Sequence, residues 1–249
     1  MPPGALRRTD TLRGHVPVSP EYLEFMADLV YLDIGRAPYE PTVRLQQRLV
    51  EEVKAAADER AYLIFVEHDP PVITLGRGTR GEHIRASRER LAHEGVEVCE
   101  TARGGDVTYH GPGQIVGYPI LRLDLHGRDV HRYMRDLEEV LIRVLARFGV
   151  TGGRSVGQTG VWVGGEKIAA IGVAVRRWVT WHGFALNVST NLAHFGLIVP
   201  CGITDKGVTS LTRLLGRPVG VAEVKPVIVE CLTEVFGFEG ARAGQTPQP

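Results

Sequence analysis

Apolar positions change rhythm several times along this chain, and each rhythm predicts an element. From Val130 to Phe148 the spacing is helical: Tyr133, Leu137, Val140, Leu141, Val144, Leu145 and Phe148 fall on one face, and Gly149 stops the run. Thr42 to Ala57 is a second amphipathic helix, with Val50, Val53 and Ala57 inside and Glu51, Glu52 and Lys54 outside. Short apolar or alternating runs predict strands at Leu29–Ile34, Ala61–Val66, Val72–Leu75, Val96–Glu100 and Gln114–Leu123. Further strands follow at Val161–Val163, from Lys167, and over Val179–Ser189, and the run from Leu197 to Gly202 closes the β-rich part. Ser87 is a cap for a short helix through Ala92, and Val208–Leu215 and Val221–Phe236 read as the last helices. Helices stand between strands and then hairpins follow. That order predicts an α+β fold, one main mixed β-sheet packed with helices, rather than a doubly wound parallel sheet.

Residues 1–18 and 240–249 have no periodicity and read as flexible tails around a single domain over 19–239. Composition narrows the class. The 249 residues are 43% apolar and 23% charged, and 29 basic side chains balance 29 acidic ones. No basic stripe argues for nucleic acid. No apolar run approaches the roughly 18 residues that cross a bilayer, and the first residues lack a secretory core. Three cysteines, Cys99, Cys201 and Cys231, make no disulfide framework, so reduced thiols and a cytoplasmic setting are expected.

One stretch is far richer in chemistry than a surface loop needs. Arg103-Gly-Gly-Asp-Val-Thr-Tyr-His-Gly-Pro-Gly-Gln-Ile-Val-Gly-Tyr118 carries five glycines. Arg103, Asp106, Thr108 and His110 surround that open backbone with donors and acceptors. Glycine lets a backbone approach a ligand closely, so the stretch is a candidate binding-site lining; the plainer reading is a bulge-rich hairpin with a decorated rim. Gly76-Arg-Gly-Thr-Arg-Gly81 satisfies a dinucleotide fingerprint. No strong apolar helix follows at Glu82-His83-Ile84-Arg85, as a dinucleotide site requires, so it reads as a basic loop.

The single-residue candidates sort by setting. Cys231 belongs to the apolar face of the last helix, and Cys99 has no activating neighbour in sequence. Cys201, between Pro200 and Gly202 at a strand end, is either a presented nucleophile or a small residue in a turn. Lys167 opens a strand whose two faces, Ala169-Ile171-Val173-Val175 and Ile168-Ala170-Gly172-Ala174, are both apolar, with the lysine on the first. There it is either a partly desolvated base or an exposed lysine beside a Gly-Gly turn. His182 and His110 are candidate pocket groups. A zinc site from His182, His194, Cys201 and Asp205 fits no ligand spacing, so no metal is expected.

Four motifs in order carry a resemblance: Arg103–Gln114, Gly165-Glu-Lys167-Ile-Ala-Ala-Ile-Gly172, His182-Gly-Phe-Ala-Leu-Asn187 and Pro200-Cys201-Gly202. Over about residues 28–236 the chain resembles the lipoyl (octanoyl) transferases. The resemblance implies the fold of the biotin and lipoate protein ligase catalytic domain. It implies Cys201 as the acyl-carrying nucleophile and Lys167 as its activating partner, 34 positions apart. It places substrate contacts at Arg103, Gly104, Gly105, Asp106, Val107, Thr108, Tyr109 and His110. It adds Ala170, Ile171 and Gly172, then His182, Gly183, Phe184 and Ala185. The implied donor is octanoyl on the phosphopantetheine of acyl carrier protein. The implied acceptors are lysines of apo lipoyl domains, in 2-oxoacid dehydrogenase complexes and the glycine cleavage H protein. Neither ATP nor a metal is implied, because a thioester is already an activated acyl donor. Rivals are an ATP-dependent lipoate ligase, a cysteine thioesterase and a non-catalytic lipoyl-domain binder. Arg77 and Arg80 offer a docking point for an acidic carrier.

Overall fold

A computed structural model describes residues 28–79, 83–199 and 207–245. In chain order the main elements are β1 (Leu29–Ala37), α1 (Tyr39–Ala55), β2 (Ala61–His68), β3 (Val72–Leu75), α2 (Arg88–His93), β4 (Glu97–Glu100), β5 (Val107–His110) and β6 (Gln114–Ile120). Then come α3 (Val130–Arg147), β7 (Gly153–Ser155), β8 (Gln158–Val163), β9 (Glu166–Arg176), β10 (Val179–Asn187), α4 (Leu211–Leu215), α5 (Val221–Phe236) and β11 (Ala241–Ala243).

The strands form an eight-stranded sheet, β11-β1-β2-β6-β10-β9-β8-β7, and a three-stranded one, β4-β3-β5. In the large sheet β1 runs parallel to β2 and β11, and the other pairs are antiparallel. This is the mixed sheet that the α+β expectation required. The unbroken apolar run in β2 has a direct cause. Leu63 and Phe65 pack toward α3 and α5, while Ile64 and Val66 pack with Leu49, Val50 and Val53 of α1. Both faces of the strand are covered, so neither can be polar. The small sheet has its own core, with Ile73, Val107, Tyr109, Leu91, Phe195, Leu197 and Ile198.

Several boundaries moved for identifiable reasons. The helix expected over Val208–Leu215 begins only at Leu211. Val208 bridges to Lys167, and Ser210 caps the helix by accepting from the Arg213 N–H. The tail expected from 240 instead contributes β11: Leu29 donates to the Gly240 carbonyl, and Ala241–Ala243 pair with Leu29–Tyr31. Three exposed residues, Ala241-Arg242-Ala243, carry no hydrophobic signal, because what holds them is the backbone edge of β1.

The largest departure concerns Lys167. Val161 pairs with Ala169, but its neighbour Trp162 pairs with Lys167, so Ile168 is an extra residue in β9. Ile168 and Ala169 are consecutive, yet both are buried in one core cluster. Such a bulge restarts the strand alternation and re-aims the side chain beside it. Lys167 therefore leaves the Ala169 face assigned to it by simple alternation.

Candidate active site

The segment from Arg103 to Tyr118 is not one hairpin. β5 pairs with β3 in the small sheet, and β6 pairs with β2 and β10 in the large one. The Gly111–Gly113 turn carries the chain from one sheet to the other. Gly113 has φ +79, gives its N–H to Glu67 Oε2 at 2.8 Å, and accepts from the N–H groups of Val188 and Ser189. A Cβ there would meet the Ser189 backbone at 2.7 Å, so only glycine fits.

Between the sheets lies a cavity of about 580 Å³, within the usual range for small-molecule sites. Its wall contains Arg103, Gly104, Gly105, Asp106, Thr108 and His110 from the first motif. Lys167, Ala170, Ile171 and Gly172 come from β9, and His182, Gly183, Phe184 and Ala185 from β10. Val116, Ala185 and Ala170 are successive cross-strand neighbours and form one narrow row. Two expected contacts are corrected. Val107 and Tyr109 point away, into the core of the small sheet, and the Tyr109 hydroxyl is hydrogen-bonded to His194 Nδ1 at 2.7 Å. The alternation of β5 sends Asp106, Thr108 and His110 to the cavity and the residues between them inward.

Arg103 is mostly structural. Its guanidinium donates to the Thr74 hydroxyl and carbonyl and to the Gly104 carbonyl. It thereby fixes the loop against β3. The same loop explains the discarded nucleotide fingerprint. Gly76 and Gly78 donate their N–H groups to the carbonyls of Asp106 and Gly105, and a Cβ at Gly76 would sit 2.3 Å from Gly105 O. Those glycines admit a neighbouring backbone. No helix opens behind them among the described residues, where the next one is α2.

The buried polar groups are arranged as neutral donors and acceptors. His110 Nδ1–H donates to Gln114 Oε1 at 2.8 Å, leaving Nε2 as the ring acceptor. Burial holds the His110 imidazole far below its ordinary range. The Tyr118 hydroxyl donates to His68 Nε2 at 2.7 Å, and burial lowers His68 to about 4. Tyr39 donates to Thr101, whose hydroxyl in turn meets His182 Nε2 at 3.3 Å. His182 is lowered to about 3, first by burial and then by the charges of Arg103 and Arg77. It holds φ +56 within β10, a rare conformation for a residue with a side chain. Gln46 of α1 accepts its N–H at 2.8 Å, and Trp181 stacks on its ring. Tyr39, Gln46, His68 and Tyr118 were not foreseen. Tyr118 lay at the end of the marked stretch, whereas the other three carry no local signal and matter only because α1 and β2 pack over the cavity.

Lys167 lines the cavity, with its ammonium 4.8 Å from the centre of the Trp162 ring. Its backbone N–H donates to Gly207 O at 2.9 Å, and its carbonyl accepts from the Thr209 N–H at 3.0 Å. Cys201 and its neighbours Pro200, Gly202 and Asp205 lie outside the described residues, as does Arg80. The chain that leads to them is anchored at Val199, whose N–H donates to His83 O, and the chain that leaves them is anchored on Lys167. Cys231 is buried in α5, and burial pushes its thiol up to about 11; Cys99 is half-buried and is also raised by burial. Neither is an activated thiol. His194, the second histidine of the rejected zinc set, is engaged by Tyr109 and Asn191. Among the described residues, no three His, Cys, Asp or Glu side chains are placed to hold a metal ion.

A mixed sheet with a small sheet closing a lysine-bearing slot is the architecture of a lipoyl-ligase-type catalytic domain. The chain belongs to the lipoyl protein ligase A/B catalytic domain family, whose model matches residues 38–233. Its curated relatives are octanoyltransferases. That of Myxococcus xanthus is 51% identical over 212 residues, 83% of this chain and 59% of that longer protein. That of Caldicellulosiruptor saccharolyticus is 49% identical, covering 84% of this chain and 88% of the relative. That of Chloroflexus aggregans is 47% identical, covering 88% and 99%. Among solved structures, a lipoate-protein ligase A bound with ATP has the same fold, with TM-score 0.71 and 16% identity over 89% of this chain and 90% of that one. The bipartite lipoate protein ligase of Thermoplasma acidophilum gives TM-score 0.69 and 16% identity over 88% of both chains. No helix among the described residues is long and apolar enough to cross a membrane.

Proposed function

We propose that this protein transfers octanoyl groups from octanoyl-acyl carrier protein to the target lysine of apo lipoyl domains, through a thioester on Cys201. The observation that carries the reading is the slot itself. It gathers Lys167 with the Ala170–Gly172 and Gly183–Ala185 walls and most of the Arg103–His110 motif, in a chain whose relatives of about half-identical sequence are octanoyltransferases.

In the first step the Cys201 sulfur attacks the donor's thioester carbonyl. The new carbon–sulfur bond replaces the bond to phosphopantetheine, and the carrier thiol leaves with the proton. In the second, the acceptor lysine's neutral amine attacks the Cys201 thioester, the amide forms, and the cysteine thiol is regenerated. An amide is made from a thioester, so ATP is not needed as a reactant. Lys167 serves as the cation beside the thiolate and as the base for the incoming amine. These roles need opposite protonation states, so lysine and cysteine titrate together. A thiol with pKa about 8.5 is already about a tenth ionised near pH 7.5, so forming thiolate gains at most about tenfold. Positioning and oxyanion donors supply the rest.

The His110 and His182 imidazoles in the cavity wall are held neutral by burial, and the Arg103 guanidinium donates to Thr74 and Gly104. Burying an alkyl chain there is worth about 0.8 kcal/mol per CH₂. The acceptors fit lipoyl domains of 2-oxoacid dehydrogenase complexes and the glycine cleavage H protein, and a cytoplasmic setting belongs to the same proposal. The test is intact-mass analysis after mixing with octanoyl carrier and no ATP. A gain of one octanoyl group, lost in Cys201→Ser and slowed in Lys167→Ala, is expected. Turnover by the serine variant at the parent rate, or a requirement for ATP with release of AMP, overturns the reading.

A further inference from the structure

The bulge that aims Lys167 is itself held by something outside the cavity. Glu138 lies on the inner face of α3 with its side chain only 1% exposed. Its Oε2 accepts from Arg135 Nη1 at 2.7 Å and from Arg154 Nε at 3.1 Å. Its Oε1 accepts the backbone N–H of Gly160 at 3.0 Å. Gly160 is the residue of β8 that precedes the irregular pair Val161–Ala169 and Trp162–Lys167. It has φ +116, and a Cβ there would lie 2.5 Å from Ala169 O and 3.6 Å from Lys167 Cε. Trp162, two residues on, supplies the ring beneath the Lys167 ammonium. The carboxylate therefore grips β8 where that strand faces the extra residue of β9, and Arg154 ties the same carboxylate to β7.

A surface ion pair has no reason to be built this way. Burying a carboxylate is costly unless it is paired and both oxygens accept hydrogen bonds. Two guanidiniums and one amide satisfy this one, and the amide belongs to the strand that carries the platform for the lysine. Apolar packing of α3 against the sheet is already supplied by Leu137, Val140 and Leu141. A leucine at 138 would extend that core but would accept nothing from Gly160.

We propose that Glu138 is a positioning residue for acyl transfer: through Gly160 and the β8–β9 bulge it fixes where the Lys167 ammonium is presented. The proposal rests on the reading that Lys167 activates the reacting sulfur. Its test separates the two. Glu138→Gln keeps an acceptor oxygen but loses the charge that holds both arginines. Arg154→Met loosens the same carboxylate from a half-exposed position and keeps the test alive if the glutamine variant does not fold. In each, the reactivity of Lys167 toward trace acetic anhydride is measured by peptide mass spectrometry, with Lys54 and Lys225 as internal references, alongside kcat and KM for octanoyl transfer.

The expected result is at least a threefold change in Lys167 labelling relative to the two reference lysines. A fall in kcat of tenfold or more should accompany it in Glu138→Gln, with KM for the donor within twofold. The glutamine substitution should also add little to Lys167→Ala in a double-mutant cycle. Unchanged labelling in the variants that fold overturns the proposal, whatever happens to the rate. Altered labelling with parent kcat leaves Glu138 in control of the lysine and removes Lys167 from the reaction, which overturns the underlying reading instead.

Discussion

Gln114 donates its side-chain amide to Asn187 Oδ1 at 3.0 Å, across 73 positions of sequence. Asn187 then donates to the Thr209 carbonyl, and Thr209 gives its own N–H to the carbonyl of Lys167. One buried chain of hydrogen bonds thus joins the His110 end of the glycine-rich segment, the end of β10, and the backbone that holds both Lys167 and the segment leaving Cys201. Replacing Asn187 with leucine strips one Gln114 Nε2–H of its acceptor, leaving that nitrogen only the Tyr109 carbonyl at 3.2 Å, and removes the Asn187 donor to the Thr209 carbonyl. Each unsatisfied buried group costs on the order of 1–3 kcal/mol. The expected outcome is a lower urea midpoint with unchanged m-value, and acyl-enzyme formation slowed at least tenfold in the folded fraction. Parent rates of acyl-enzyme formation in Asn187→Leu would show that this chain does not organise the site.

Gly76 tests why the fingerprint-like glycines exist. If they serve backbone packing, Gly76→Ala forces a Cβ into Gly105 O and the Arg103 guanidinium, both closer than 3.0 Å. Overpacking of this kind costs typically about 1–3 kcal/mol. Thermal denaturation should show the loss, and adding a nucleotide should not raise the midpoint of parent or variant. A nucleotide-dependent rise in the parent alone would reinstate the phosphate-binding reading.

The buried imidazoles make stability fall in acid. His68 and His182 are held at about 4 and about 3 in the native protein, against about 6.5 unfolded. Between those limits the unfolded chain binds protons that the native state does not, so unfolding gains as the pH drops. The stability is fully present above about pH 6.5 and is lost progressively as pH falls toward the native values. At about 1.4 kcal/mol per unit, His68 accounts for on the order of 3 kcal/mol across its window. His68→Gln keeps an acceptor for the Tyr118 hydroxyl but cannot titrate. Its urea midpoint should decline less steeply than the parent's between pH 6.5 and about 4.5. Equal slopes would mean that His68 is not held neutral by folding.

Sequence alone made α3 and the motif positions legible, and the reason is physical. Six buried apolar side chains at 3–4 spacing on α3 meet the core, and periodicity records that directly. The glycines at 76, 104, 105 and 113 were visible as glycines, but their partners were not. Gly76 answers to Gly105 and Gly113 to Ser189, contacts that depend on how two sheets stack. The facing of Lys167 was misjudged for a similar reason. Alternation assumes one residue per step, and the extra Ile168 faces β8, where Gly160 donates to Glu138 of α3, so its setting depends on other elements. Tyr39 lines the cavity from α1 and Gln46 of the same helix holds the His182 N–H, but the pattern of α1 records only that one face is buried.

The narrow row formed by Val116, Ala185 and Ala170 predicts how acyl length is measured. These positions are cross-strand neighbours that line the cavity, and two of them are alanines. Enlarging Ala170 to leucine adds methylenes to the cavity wall. Gly172 would be a poorer choice, because a Cβ there would press on Arg103 and Gly104 O. If the acyl chain lies along this row, the longer donor loses more than the shorter one. One methylene in an apolar site is worth about 1–3 kcal/mol, or roughly 10–200-fold in kcat/KM. In Ala170→Leu the kcat/KM ratio of octanoyl to hexanoyl carrier should therefore fall at least tenfold, while hexanoyl transfer stays close to the parent rate. An equal loss for both donors would place the alkyl chain elsewhere, and the row would then be packing and not a gauge.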